Sequence, residues 1–254
     1  MTFNVAAEAY DRFMGRYSML LAPQMAELAG VRAGQRVLDV GCGPGALTSE
    51  LVKRVGADRV AAVDPSGSFV EAARARHPGV DVRQASAEQL PYEDDTFDAT
   101  LAQLVVHFMS DPVAGIREMA RVTRRDGVVV TCVWDHAGGS GPLGLFWNAA
   151  HELDPAIEDE SHLPGAREGH LIELFEAAGL RDVESSVVTA TLQHATFEEW
   201  WDPFTRGVGP AGAYVAKLDG DGQAQLRERC RALLPEPPFT IVARAWAARG
   251  RAGD

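Results

Sequence analysis

The first half of the chain alternates short apolar runs with stretches in which apolar residues recur every three or four positions. Short runs of this kind are typical of buried strands, and the three-to-four spacing is typical of helices that bury one face. Strands that alternate with helices predict crossover connections and a parallel, doubly wound sheet. The runs predicted as strands are 37–40, 59–64, 80–85, 97–108 and 128–134.

The second half is less regular and begins with a glycine-rich loop at 136–142. It contains three amphipathic stretches predicted as helices, an aromatic-rich segment, and two alternating stretches, 183–192 and 239–247, predicted as strands. We expect one domain over residues 1–254. Within it we predict an N-terminal helical lid at 1–30, a ligand-binding core at 31–135, and helical cap segments at 136–178 and 195–235.

Three glycines at alternate positions follow the first predicted strand, and a helical pattern starts directly after them at residue 46. Glycine is favoured where the backbone needs a positive φ or where a ligand approaches it with no Cβ in the way. The start of the helix offers free N–H groups and the positive end of its dipole. The strand, turn and helix predict a site for a small molecule that carries nucleoside or acidic groups.

Polar side chains stand near the ends of several predicted strands: Asp39, Asp64, Ser86 and Gln103. Ligands of doubly wound sheets bind at the carboxyl ends of the strands, so these side chains are expected to share one site. Asp64 follows Gly41 by 23 positions, and a carboxylate there can bind both hydroxyls of a ribose. The alternative is a turn or helix-capping aspartate, which the spacing from the glycines makes the weaker interpretation.

The charge balance limits the possible partners. The chain has 24 basic and 36 acidic residues, a net charge of −12, which argues against non-specific binding to a nucleic-acid backbone. It contains no apolar run of about 18 residues, so we expect no spanning helix, and its first 17 residues do not resemble a signal peptide. Its three cysteines are far apart and odd in number, which favours reduced thiols and a cytoplasmic location.

The glycine turn also fits a dinucleotide fingerprint with Ala46 in the third place. Two residues argue against a pyrophosphate there. Pro44 lacks an N–H that could donate to phosphate, and Asp39 puts a negative charge beside the turn. A ligand with an ammonium group, a carboxylate and a ribose satisfies these constraints, and S-adenosylmethionine is such a ligand.

The segment 37–45, Val-Leu-Asp-Val-Gly-Cys-Gly-Pro-Gly, resembles the first motif of the class I S-adenosylmethionine-dependent methyltransferases. Asp64 resembles their acid after the second strand. Residues 85–98 are similar to the third motif of the small-molecule branch, which contains the ubiquinone/menaquinone C-methyltransferases, and 121–127 resembles the turn before the fifth strand. The resemblance covers about 10–135 and implies a Rossmann-like sheet, mostly parallel with an antiparallel last strand.

The resemblance also implies S-adenosylmethionine as the cofactor and assigns roles to individual residues. Gly41 and Gly43 would pass under its methionine part, Asp39 would face its ammonium group, and Asp64 would bind its ribose. Ser86 departs from the family, which commonly has an aspartate that contacts the adenine amino group, so this contact lacks charge assistance. The remaining implied contacts are Pro65 and Ser66 with the adenosine, Ala87 and Glu88 with the adenine ring, and Gln103 with the methionine part.

Arg16 has two interpretations. It is either a solvated surface charge or a lid arginine that pairs with a carboxylate of the ligand, since a guanidinium fork fits a carboxylate. The nearby aromatic residues Tyr10, Phe13 and Tyr17 need something to pack against and favour a lid.

The acceptor side carries fewer signals. His107 near the end of the fourth predicted strand is the candidate general base, if one is needed, and a packed or surface histidine is the alternative. Tyr17, Trp147 and Trp200 are candidate acceptor contacts, although aromatic residues of this kind also build cores. The remaining histidines are not spaced along the chain as metal ligands usually are, so no metal site is predicted. Five other histidines are interpreted as ordinary surface residues: His136, His151, His162, His170 and His194.

These patterns favour an enzyme that transfers a methyl group from S-adenosylmethionine to a small, apolar or aromatic organic acceptor. A non-catalytic S-adenosylmethionine-binding protein stays open, because the acceptor pocket carries no motif. A nicotinamide-dependent oxidoreductase is the third alternative, disfavoured by Pro44 and the 85–98 motif. The pattern indicates neither the methylated atom nor the oligomeric state.

Overall fold

A computed structural model describes residues 7–253 of the chain, built around one sheet of seven strands. The strand order is β3-β2-β1-β4-β5-β7-β6; β1 to β5 pair in parallel, and β7 pairs antiparallel with both β5 and β6. The predicted sheet, mostly parallel with an antiparallel last strand, is confirmed. The strands are β1 Val37–Val40, β2 Val60–Asp64, β3 Asp81–Gln84, β4 Phe97–Gln103, β5 Thr123–Trp134, β6 Arg181–His194 and β7 Phe239–Arg251.

Helices cover both faces of the sheet. A π-helical turn, Asp11–Gly15, joins the first two, and short 3-10 turns lie at Val106–Phe108, Glu160–His162 and Asp202–Arg206. The helices are α1 Ala7–Tyr10, α2 Arg16–Leu28, α3 Ala46–Val55, α4 Gly67–Arg76, α5 Pro112–Val122, α6 Gly144–Leu153, α7 His170–Ala177, α8 Phe197–Trp201, α9 Gly209–Lys217 and α10 Gly220–Leu233.

The side chains of β1 contribute to two cores, one on each face of the sheet. Val37 faces the core that includes α2, α3 and the aromatic residues of α6 and α8. Leu38 and Val40 face the opposite core, which includes α5 and α7. Because all four residues of β1 are buried, its carboxyl end and the glycine turn after it are held on a rigid support.

One predicted strand boundary was wrong. β4 ends at Gln103 and not at 108, because Leu104 turns the backbone to φ +62° and the chain continues into a 3-10 turn. The apolar residues after Gln103 extended the strand pattern although they pack around the turn instead. Within the predicted cap segment 136–178, α7 packs against α5 in the core of the opposite face.

The N-terminal segment packs in the core and also reaches the edge of the sheet where the parallel strands end. The predicted N-terminal helix is interrupted by the π-helical turn that ends at Gly15. α2 then runs without a break through Pro23, the other position at which an interruption was predicted. Residues 1–6 of the predicted lid lie outside the described residues. Over 7–253, none of the helices combines the length and the apolar character needed to cross a membrane.

Candidate functional site

A cleft of about 510 Å³ lies at the carboxyl ends of β1, β2 and β4. Every residue predicted to bind the cofactor lines this cleft, except Arg16 and Asp39. The sheet brings them together because the carboxyl ends of its parallel strands meet at one edge. The predicted residues that line the cleft are Gly41, Gly43, Asp64, Pro65, Ser66, Ser86, Ala87, Glu88 and Gln103.

The glycine turn forms the floor of the cleft. Gly41, at φ +69°, is packed so closely that an added Cβ would lie 2.4 Å from Cγ2 of Val105. Gly43, at φ +53°, faces open space, with no atom within 4 Å of an added Cβ. Gly41 therefore meets the need for close packing beneath the cleft, and Gly43 leaves its backbone accessible to a ligand.

Asp64 is a buried carboxylate that two backbone groups orient. The N–H of Gly43 donates to Oδ2 at 2.8 Å, and the N–H of Ser66 donates to Oδ1 at 2.8 Å. Burial raises the pKa of Asp64, and these two hydrogen bonds oppose that shift. Each oxygen keeps further acceptor capacity, which suits a pair of hydroxyl donors.

Asp39 lies beneath the cleft and does not line it. Its Oδ2 accepts a hydrogen bond from Thr48 Oγ1 at 2.6 Å, while its Oδ1 is buried without a partner among the described residues. Burial raises the pKa of Asp39 to about 7, and the hydrogen bond from Thr48 opposes this shift. The prediction that Asp39 faces an ammonium group directly is not supported by this position, and contact through water stays a prediction.

The raised pKa of Asp39 predicts a pH-dependent effect of the Asp39→Asn substitution. The native state keeps a proton that the unfolded chain releases above the ordinary value of 3.8, so Asp39 lowers the free energy of unfolding as pH rises towards 7. The unfolding free energy of the wild type minus that of the variant should fall between about pH 4.5 and about pH 7.5 in denaturant titrations. A difference that is constant or rises with pH would contradict the buried, partly protonated carboxyl group.

The adenine end and the methionine end of the predicted ligand site differ in character. Ser86 is exposed at the rim, and Glu88 Oε1 accepts from the N–H of Ser110 at 2.8 Å, which ties the rim to the loop after β4. At the other end, Gln103 Nε2 donates to the backbone oxygen of Ser18 at 3.0 Å. Gln103 lines the cleft, and its Oε1 is buried without a partner among the described residues.

A second, smaller pocket of about 40 Å³ adjoins the cleft and shares Tyr10, Leu104 and Phe108 with it. We call it the inner pocket. His107 lines it, as expected for a group near the reacting centre. The other residues that line the inner pocket and not the cleft are Phe13, Met14, Trp134, His136, Leu143, Glu160, Val208, Gly209, Pro210 and Ala211.

The three aromatic residues predicted to contact the acceptor lie elsewhere. Tyr17 is buried, its hydroxyl group is 3.2 Å from His194 Nε2, and it lines a separate small pocket together with Trp200. Trp147 is buried and donates from Nε1 to Glu160 Oε2 at 2.9 Å. None of the three residues lines the inner pocket, because their apolar area is buried in the core. Trp147 is connected to the inner pocket through Glu160, which lines it.

Arg16 does not reach the cleft. Its Nη2 is 2.6 Å from Glu199 Oε1, and it lines the separate pocket beside Tyr17. The structure therefore does not place Arg16 in the cleft, and its pairing with a carboxylate of the ligand stays a prediction. Among the described residues of the lid, Tyr10 lines the cleft, and its ring lies 5.4 Å from that of Phe69 in α4.

The interpretation of the remaining histidines as surface residues was wrong for two of them. His194 is 3% exposed, and burial lowers its pKa to about 4. The Nε2 atom of His136 is buried without a partner, and burial likewise lowers its pKa to about 4. Of the others, His151 pairs with Asp159, and His162 is exposed.

Several site residues were missed by sequence reasoning. Leu104 and Phe108 were assigned to a strand, and Glu160 was part of an acidic loop without a motif. A buried carboxylate in a loop leaves no periodic signal, because its position depends on the fold of residues distant in the chain. Tyr10 did leave a signal in the sequence, because its aromatic cluster near the terminus required a surface to pack on. Within residues 7–253, no three His, Cys, Asp or Glu side chains are arranged to hold a metal ion.

Comparisons with known proteins agree with this geometry. A methyltransferase domain family matches residues 38–131. An uncharacterized methyltransferase of Mycobacterium tuberculosis is 35% identical over 152 residues, which cover 60% of this chain and 54% of the relative. A ubiquinone/menaquinone biosynthesis C-methyltransferase of Bdellovibrio bacteriovorus is 34% identical over 136 residues, 50% of this chain and 58% of the relative. The chain thus spans less than two thirds of the length of these curated relatives.

A solved structure shows the same fold. The phosphoethanolamine N-methyltransferase 2 of Haemonchus contortus, in complex with phosphomonomethylethanolamine and S-adenosylhomocysteine, superposes with a TM-score of 0.60 at 16% identity. The superposition covers 98% of this chain and 57% of that protein. The chain is thus similar to methyltransferases over half or more of its length, and its residues 38–131 match a methyltransferase domain family.

Proposed function

We propose that this protein transfers the methyl group of S-adenosylmethionine to a small, apolar or aromatic organic acceptor. The observation that carries the proposal is the junction of two cavities. The cleft over the glycine turn and the apolar inner pocket share Tyr10, Leu104 and Phe108. A donor in the one and an acceptor in the other would meet at these three side chains.

The residues of the cleft fit the donor. Asp64 offers two oriented oxygens to the ribose hydroxyls, and Gly43 offers an unobstructed backbone to the methionine part. Gln103 Oε1 is a buried acceptor that needs a donor such as an ammonium group. The exposed Ser86 leaves the adenine end without the charge-assisted contact that an aspartate would give.

When bound, S-adenosylmethionine supplies an electrophilic methyl group on a positively charged sulfur. The contribution of this chain is to align the two reactants and to exclude water, and alignment alone can supply several kcal/mol of a reaction barrier. The rigid β1 support fixes the donor side, and Phe13, Trp134 and Leu143 line the acceptor side with apolar surface. A dry, pre-aligned junction suits a displacement in which charge disperses.

Charge and pocket size support a small acceptor. A net charge of −12 disfavours a nucleic-acid substrate. The inner pocket of about 40 Å³ has room for about three or four water-sized groups, so it takes one end of a small molecule.

The domain division into lid (1–30), core (31–135) and cap remains a proposal, as does a cytoplasmic location, which the three buried thiols Cys42, Cys132 and Cys230 support.

A screen of candidate acceptors with methyl-labelled S-adenosylmethionine tests this function. The proposal expects label in at least one small apolar or aromatic product, and none in transfer RNA or DNA offered as controls. Binding of the donor without transfer to any acceptor would favour the non-catalytic S-adenosylmethionine-binding alternative. Failure to bind the donor, together with binding of NADH, would favour the oxidoreductase.

A further inference from the structure

A cavity of about 360 Å³ lies at the amino ends of β4 and β5, on the opposite side of the sheet from the cleft. The loop after α2, the start of β4, the first residues of β5 and the end of β7 meet there. We call it the arginine pocket, because five arginines line it. They are Arg32, Arg124, Arg125, Arg249 and Arg251.

The charge of the arginine pocket is opposite to that of the whole chain. Among its described lining residues, the five arginines stand against two carboxylates, Asp98 and Asp126, which leaves a net charge of +3. The whole chain carries −12. A concave surface lined by one sign of charge focuses the electrostatic field and concentrates ions of the opposite sign. An anion is therefore attracted to this pocket, although the protein as a whole repels anions.

Two of the arginines are oriented by groups that occupy only part of their donors. Arg124 donates from Nη1 to Asp98 Oδ1 at 2.7 Å, and the N–H of Arg36 donates to Asp98 Oδ2 at 2.7 Å. Arg251 donates from Nη1 to the backbone oxygen of Asp126 at 2.8 Å. A guanidinium group has five N–H donors. Both side chains are thus held in place and keep donors for a ligand.

Two other arginines are only weakly engaged. Arg249 Nη1 is 3.6 Å from Glu184 Oε2, which is longer than a hydrogen bond, and the Glu184 side chain is 68% exposed. Arg32 donates from its backbone N–H to Gln35, and its guanidinium group has no ion pair within residues 7–253. An exposed ion pair contributes little stability. An anion with better geometry can therefore take the place of Glu184 and pair with Arg32.

Phosphate suits this arrangement better than carboxylate, although a guanidinium fork fits either. The arginines come from three separate segments, so a ligand that bonds to several of them needs oxygens that point in different directions. A carboxylate is planar and offers two oxygens, whereas a phosphate monoester offers three oxygens and a charge of about −1.5 to −2. Two phosphate groups therefore match the net charge of +3. The described lining includes no aromatic side chain on which a nucleotide base could stack.

We propose that the arginine pocket binds a small compound with two phosphate groups, a diphosphate or bisphosphate without a nucleobase, through Arg32, Arg124, Arg249 and Arg251. This second site does not depend on the proposed function. Among the described residues, none lines both the arginine pocket and the cleft. The ligand of the arginine pocket therefore leaves the cleft accessible, and it offsets the mutual repulsion of the arginines.

Calorimetric titration with inorganic pyrophosphate tests the inference. An ionic strength of about 0.15 M screens exposed charges that are more than about 8 Å apart, so the measured affinity reports direct contacts. We expect one site per chain. Pyrophosphate should bind at least about tenfold more tightly than orthophosphate, which has one phosphate group, and than citrate, whose charge is carried by carboxylates. Its affinity should be the same with and without S-adenosylhomocysteine.

Variants of the two weakly engaged arginines assign the binding to this pocket. Arg32→Gln and Arg249→Gln should each weaken pyrophosphate binding about threefold, and the double variant about tenfold. Arg59→Gln is the matched control, because it removes the same charge from an arginine that is 53% exposed and lies outside the pocket. Its pyrophosphate affinity should equal that of the wild type. If a variant fails to fold, the pyrophosphate-to-orthophosphate ratio of the wild type still decides.

Equal affinity for pyrophosphate and orthophosphate would overturn the requirement for two phosphate groups. A loss in Arg59→Gln as large as in the pocket variants would mean that binding reflects the general charge of the surface. Tighter binding of citrate, or of a hexaglutamate peptide, would overturn the choice of phosphate and point to a carboxylate-bearing partner. Displacement of S-adenosylhomocysteine by pyrophosphate would place the anion in the cleft and contradict a separate site.

Discussion

Replacement of Asp64 by alanine should weaken binding of S-adenosylmethionine at least about 100-fold. Hydrogen bonds to a charged group contribute about 1.5–3 kcal/mol each, and each 1.4 kcal/mol is a tenfold change in affinity. The proposed ribose contact has two such bonds, one to each carboxylate oxygen. The same oxygens accept from the N–H groups of Gly43 and Ser66, so the substitution also releases the turn that forms the floor of the cleft.

Isothermal titration calorimetry on matched variants measures this effect. Asp64→Asn keeps one acceptor oxygen and should bind about tenfold more weakly than wild type. Asp58→Ala is the control, because the Asp58 side chain is 84% exposed and pairs with Arg59 far from the cleft. Unchanged affinity in Asp64→Ala, with the control also unchanged, would mean that the ribose is bound elsewhere.

Gly41→Ala should be the most damaging small substitution in the glycine turn. The new Cβ would lie 2.4 Å from Cγ2 of Val105, and the φ of +69° is strained for alanine. A left-handed backbone costs about 1–2 kcal/mol and overpacking about 1–3 kcal/mol, so a loss of about 2–5 kcal/mol of unfolding free energy is expected. Denaturant titration measures it, and cofactor affinity should fall in parallel because the loop after β4 must move.

Gly43→Ala separates the two causes. Gly43 also has a positive φ, +53°, but an added Cβ would meet no atom within 4 Å. We expect a loss of only about 1–2 kcal/mol of stability, together with weaker cofactor binding, since the methyl group projects into the cleft. Equal destabilisation by the two substitutions would contradict the close packing of Gly41 on Val105.

The sequence was sufficient for the part of the site that the backbone determines. The spacing of Gly41, Gly43 and Asp64 follows from two adjacent strands and one turn, which is local information with a strong periodic signal. The strand order of the core also follows, because parallel strands joined by helices have few alternatives. The residues that line the cleft were therefore predictable from the sequence, whereas Arg16 and Asp39 do not line it.

The acceptor side was not predictable in this way. His107 and His136 meet only because β4 and β5 pair, and Glu160 reaches the same pocket from a loop far along the chain. Arg16 and Trp200 were misplaced for the same reason, since side-chain pairing across the helical layers leaves no spacing pattern. Leu104 was misplaced by its apolar character, which extended a strand beyond the point where a positive φ ends it.

The central claim is that the cleft over the glycine turn binds a sulfonium nucleoside with an amino-acid part, and not a dinucleotide. The most direct measurement is calorimetric titration of the wild-type chain with S-adenosylhomocysteine, in the absence and presence of excess NAD⁺. The account predicts one site per chain and an affinity that NAD⁺ does not alter. Displacement of S-adenosylhomocysteine by NAD⁺, or binding of NAD⁺ alone, would contradict it.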